Sequence, residues 1–166
     1  MERIEKIAGK AIETGYKGIL KNLDKRIANV KMEASSRGIF NSTVTGQRAI
    51  DEIEIAAEEL RDLVSDKQAW AIDKCVAFTT LTKTELQKQA SDYFGKFRVE
   101  GLKRIDELAN LTGMRGAHYE QDVERLDELI NDAHETAVVE LEQHEAVKER
   151  KVLMGLPKLL KSLWPW

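Results

Sequence analysis

The stretch IETGYKGILKNLDKRIANVKMEA, residues 12–34, decides the fold. Within it Ile12, Tyr16, Ile19, Leu23, Ile27, Val30 and Ala34 recur at intervals of 4-3-4-4-3-4. That is the period of a straight α-helix with one apolar face, and it predicts a first helix over residues 2–34. A second stripe runs beside it: Ala8, Ala11, Gly15 and Gly18. Glycine in a helix interior is roughly 1 kcal/mol less favourable than alanine. Small residues gathered on one face therefore point to a neighbour that packs closely there. That neighbour is another helix of the bundle or, as the alternative, a second copy of the chain.

The same period continues outward from this helix. Both prolines, Pro157 and Pro165, fall in the last ten residues, so nothing earlier forbids helix. Residues 35–46, SSRGIFNSTVTG, break the rhythm with glycines and small polar side chains and read as a loop. Ile39 and Phe40 inside it are expected to tuck under the bundle end, or to anchor a partner if exposed. A second helix is predicted over 47–80, with Ile50, Ile53, Ala57, Leu60, Val64, Gln68, Ala71, Cys75 and Phe78 as its stripe. Thr82-Lys83-Thr84-Glu85 has the form of a capping box and predicts a third helix from 83. Its stripe is Leu86, Ala90, Phe94, Phe97, Gly101, Ile105, Leu108 and Leu111, widened by Tyr93 and Leu102. Thr112-Gly113-Met114-Arg115-Gly116 reads as a tight turn. A fourth helix follows from Ala117 to Met154, with Tyr119, Val123, Leu126, Ile130, Ala133, Ala137, Leu141 and His144 along its seam, and Gly155 and Pro157 as its stop.

Four long amphipathic helices of matched length joined by short connections predict an all-α, antiparallel four-helix bundle over residues 1–154. A short apolar tail, residues 155–166, completes the chain. A longer helical hairpin that closes its core by dimerising is the competing architecture. At 166 residues the chain fits one domain, and 33% charged with 6% aromatic residues suits solvated helices with aliphatic seams. Cys75 is the only cysteine, so no internal disulfide forms and a reducing compartment is favoured. The N-terminus lacks the apolar core of a signal peptide, and no stretch reaches the 18 apolar residues of a membrane span. A cytoplasmic protein is expected, peripheral to a membrane if the tail meets lipid. In that setting the sequons Asn41-Ser42-Thr43 and Asn110-Leu111-Thr112 are chance matches.

Catalytic constellations fail one after another. A di-iron bundle needs Glu-x-x-His on two helices. The residues three before His118, His134 and His144 are Arg115, Asn131 and Leu141. There is no Cys-x-x-Cys, no phosphate-cradling glycine loop and no nucleophile elbow. The carboxylates are many but belong to the outer faces. These observations predict no catalytic residue, no metal, no cofactor and no small-molecule substrate. The basic residues of the first helix are interleaved with acids and no recognition motif accompanies them, which argues against nucleic acid.

Charge is unevenly spread under a net −3. Residues 118–150 hold eleven acidic and three basic residues, while 151–166 hold three lysines and no acid. The tail is the strongest local signal. Leu156, Leu159, Leu160 and Leu163 would line one side of a short helix, with Lys158 and Lys161 near the other and Trp164 and Trp166 beyond. Three fates are open to it: folding back on the bundle, docking on a protein or a second subunit, or meeting a membrane surface. The expectation is a non-catalytic interaction or adaptor module that docks through an acidic helix and this apolar, basic tail. A scaffolding subunit of a homo-oligomer and a peripheral membrane protein are the alternatives.

Overall fold

A computed structural model of the chain describes residues 3–40, 42–75, 80–113 and 116–163, with the side chains at 80, 81, 117 and 152–163 set aside. Among the described residues there are four helices: α1 (Ile4–Ser36), α2 (Thr43–Lys74), α3 (Thr80–Thr112) and α4 (Ala117–Leu163). The chain is an all-α four-helix bundle.

Cross-helix pairs give the directions. Arg26 of α1 reaches Glu52 and Glu59 of α2, and Glu33 reaches Arg48, so α1 and α2 run antiparallel. Lys83, Ser91 and Arg98 of α3 meet Glu145, His134 and Asp127 of α4, again antiparallel. Successive helices alternate up and down as expected. The arrangement is not a simple ring, however. Arg125 meets Asp51 on α2, and Lys148 meets Ile72, so α2 and α4 are parallel neighbours. Tyr93 meets Glu13 and Arg104 meets Asp24, so α1 and α3 are parallel too. Among the described residues α1 and α4 share no close backbone approach, while α2 packs on all three other helices.

The apolar stripes are where the spacing puts them. Every member of the α1 stripe from Ile12 to Ala34 is buried, as are Ile50 through Cys75 on α2, Leu86 through Leu108 on α3 and Leu126 through Leu141 on α4. Leu111 and His144, the predicted last members, are exposed: Leu111 lies in the last turn of α3, and His144 lies at the edge of the α2–α4 seam rather than inside it. Phe78 lies outside the described residues. Most of the core is one continuous cluster, and a smaller one of Ala8, Ala71, Ile72, Leu86 and Leu141 closes the end where α2 finishes.

Four boundaries of α2, α3 and α4 differ from the sequence expectation. The stretch read as a loop up to residue 46 already carries the first turn of α2. Ser42 sits in extended backbone (φ −116°, ψ 152°) and its Oγ accepts from the Thr45 N–H at 3.3 Å, a helix N-cap. Thr45 donates through Oγ1 to the Ile39 carbonyl at 2.9 Å, tying the connection down. At its other end α2 stops at Lys74 rather than 80, because Cys75 is extended (φ −66°, ψ 126°). The capping box at Thr82 is not used: the backbone is helical from Thr80, and an N-cap must be extended. Finally, α4 runs through Gly155 and Pro157 to Leu163 instead of ending at Met154. Proline removes one intrahelical hydrogen bond and glycine about 1 kcal/mol of propensity, which weakens a helix without requiring it to stop.

α1 ends at Ser36, two residues beyond the expected Ala34, at a glycine stop. Gly38 adopts φ +69°, its N–H bonds to the Ser35 carbonyl at 3.1 Å, and the Ile39 N–H bonds to the Ala34 carbonyl at 3.0 Å. This is a Schellman motif, and the positive φ is why glycine stands there. Gly113 and Gly116, at φ +70° and +71°, serve the α3–α4 turn; Met114 and Arg115 lie outside the described residues.

Two tests follow from this packing. A Cβ at Gly15 would stand 2.5 Å from Leu63 Cδ2, whereas one at Gly18 would meet nothing within 4 Å. Gly18→Ala should therefore stabilise the bundle by about 0.5–1 kcal/mol in urea unfolding, and Gly15→Val should destabilise it by about 1–3 kcal/mol. Asp122 is buried, and that burial raises its carboxyl above the ordinary range. A raised native value means that the native state holds the proton more tightly than the unfolded chain. Its contribution is therefore greatest below the ordinary carboxylate range and is lost as pH rises through the native value. Asp122→Asn should raise the unfolding midpoint at neutral pH and remove that part of the pH dependence.

Candidate interaction site

The helix lengths set the site. α1, α2 and α3 have 33, 32 and 33 residues, and α4 has 47. The Lys148 Nζ donates to the carbonyls of Ile72 and Cys75, which fixes residue 148 level with the last turn of α2. The backbone of residues 152–163 therefore continues as helix beyond that level, over about 18 Å at 1.5 Å per residue. The tail expected to be a separate segment is a helical extension of α4.

The predicted contact residues Leu156, Lys158, Leu159, Leu160, Lys161 and Leu163 are stations on this extension. Their side chains, and the whole of Trp164 and Trp166, lie outside the described residues. At the root of the extension the structure is explicit. Ala69, Ile72, Asp73, His144, Val147, Lys148 and Lys151 line an open groove of about 330 Å3 between α2 and α4. Val147 is 49% exposed, and Trp70, four residues before the end of α2, is 38% exposed. Ile7 on the first turns of α1, at the same end, is 40% exposed.

Lys148 deserves its place in the seam on physical grounds. The last carbonyls of a helix have no intrahelical donors and carry the negative end of the macrodipole. An ammonium from a neighbouring helix satisfies two of them at once. In the sequence Lys148 stands with Arg150 and Lys151 as a basic cluster that closes an acidic stretch. Its spacing of seven from Leu141 continued the buried stripe and could have marked it as inward-facing.

The other predicted residues are distributed. Ala8 is fully buried in the end cluster, Ala11 is half-buried and Gly15 receives Leu63. Gly18 is exposed and has open space around it, so the closely packed part of that face stops at Gly15. Ile39 is 38% exposed and Phe40 half-buried, at the end opposite the extension. Cys75 is buried, and burial pushes its thiol up, away from nucleophilic thiolate.

Part of the acidic surface of α4 is used inside the bundle. Arg98 forms a forked pair with Asp127 at 2.6 and 2.8 Å, which holds that carboxyl below its usual range. Lys83 pairs with Glu145 at 2.7 Å. Glu120, Glu124, Glu128, Asp132 and Glu135 remain exposed.

Among the described residues no group of three or more His, Cys, Asp or Glu side chains converges as a metal site. No described helix is long and apolar enough to cross a membrane. Comparison with protein-family models, curated proteins and solved structures finds no match.

Replacing Lys148 tests the clamp at the root of the extension. Lys148→Met should lower stability by about 1 kcal/mol, as expected for a cation at a helix C-terminus. Amide exchange in the last turn of α2 should accelerate more than in the α1–α2 core.

Proposed function

We propose that this chain is a non-catalytic helical interaction module whose docking element is the extension of α4. One observation carries the reading: α4 outruns its three neighbours by about four turns, and that surplus holds the most apolar, acid-free sequence of the chain. The described core is continuous through residue 141 without it. Leucines on such an extension gain by being buried against a partner. Each large aliphatic side chain fully buried contributes roughly 1.5–3 kcal/mol before ordering costs.

The bundle's part is to hold this element rigidly. Lys148 and the end cluster of Ala8, Ala71, Ile72, Leu86 and Leu141 anchor its root. The exposed acids of α4 form a second, weaker surface, suited to a basic partner. A single buried cysteine fits a reducing compartment such as the cytoplasm.

Truncation after Gly155 is the direct test. The shortened chain should keep its helical circular dichroism and cooperative unfolding. It should migrate as the free bundle in an extract of the source cells where the full chain migrates in a larger species. A truncated chain that unfolds would make the extension part of the core and sink the proposal, as would a full chain that neither joins a larger species nor sediments with membranes.

A further inference from the structure

We infer that the end of the bundle bearing the α4 extension docks on an anionic lipid surface. This rests on the reading of the extension as a docking element and names what it docks on.

Three independent features converge at that end. The first is charge. Residues 3–10, 66–74, 83–88 and 145–151, which form this end, hold ten basic and six acidic residues, and the extension adds Lys158 and Lys161. At the opposite end, residues 30–37, 43–50, 105–112 and 117–125 hold four basic and six acidic. The chain as a whole is at −3, so the positive end stands on an acidic body. The second is amphipathic spacing. On a helical backbone through 152–163, Val152, Leu156, Leu159, Leu160 and Leu163 fall within one arc of the helix, and Lys158 and Lys161 fall on the other side. Such a helix lies in the plane of a lipid interface, its apolar arc among the acyl chains and its lysines among the headgroups. The third is tryptophan, the residue most at home at that depth. All three tryptophans belong to this end by chain position: Trp70 four residues before the end of α2, and Trp164 and Trp166 in the sequence directly after Leu163. Trp70, Ile7 and Val147 are exposed here as well.

A protein groove would account for the leucines alone. The net positive charge of the neighbouring helix ends and the clustering of tryptophan fit an anionic bilayer better. The extension is too short to span one, so attachment is to the surface and reversible.

The full chain should co-sediment with phosphatidylcholine vesicles containing a quarter phosphatidylserine, and far less with phosphatidylcholine alone. High salt should release it. The double variant Lys158→Glu/Lys161→Glu should weaken binding about 30-fold or more while leaving the circular dichroism unchanged, each lysine near such a surface contributing several-fold. In Trp164→Phe/Trp166→Phe, Trp70 is the sole tryptophan, and its emission should shift to the blue on the anionic vesicles. Equal binding to both vesicle types, no effect of the charge reversal, or an unshifted Trp70 would overturn the inference. So would a chain that ignores vesicles but self-associates through residues 156–166; that result assigns the docking element to a second copy and leaves the interaction module standing. Unfolding on truncation would remove both.

Discussion

The whole bundle depends on how closely α2 approaches its neighbours. It packs on all three others, more extensively than α3 does, so its buried surface must be broad. Breadth is obtained with small side chains. Thr45, Gly46, Ala49, Ala56, Ala57, Ser65 and Ala71 are buried beside Ile50, Ile53, Leu60, Val64 and Ile72. A helix with a single seam of leucines would have satisfied one groove and left the others open. Here the small residues let α1, α3 and α4 close around a common rod, and larger groups on those helices, such as Phe97, Leu23 and Leu86, fill the space.

Polar groups in this core fix register rather than add much net stability. The Gln68 amide donates across from α2 to the Leu86 carbonyl at 3.1 Å, and Gln89 donates from α3 to the Glu5 carbonyl at 3.1 Å. The Tyr93 hydroxyl reaches both the Gly9 carbonyl and the Glu13 carboxylate, and burial together with that carboxylate pushes the phenol up to about 12. Each contact specifies one vertical offset between helices whose apolar stripes alone would tolerate a slip of a turn. Around the outside, Arg26, Arg98 and Arg104 bridge neighbouring helices with partly exposed pairs, individually weak but consistent with the same offsets.

The fold was legible because helical period is a local property. Ile12 through Ala34 needed no partner to reveal their face, and the same holds for Leu86 through Leu108. What the sequence left hidden was non-local or depended on competition. Ser42 looked like one more loop residue beside β-branched threonines, and its role as a cap emerges only from its extended backbone. Thr82 offered a better-looking cap that the chain ignores. Gly155 and Pro157 read as a stop, yet each only lowers helix preference, and α4 continues through both. The order of helices around the bundle, with parallel neighbours α1–α3 and α2–α4, is a packing outcome that no single stripe encodes. The leucines and lysines of the candidate site were visible from composition. That they sit on a continuation of α4, with Lys148 clamping its root to the α2 carbonyls, required coordinates.

The uneven sign of the two ends has a kinetic consequence. A helix of 33 residues is about 50 Å long, whereas the Debye length at physiological ionic strength is about 8 Å. When one tip of such a rod reaches a charged object, the far tip is several screening lengths away and is not felt. A molecule with net negative charge can thus be drawn to another negative body, provided that it arrives with the right tip foremost. Rotational diffusion then selects which collisions count, and end-on arrival becomes the productive geometry.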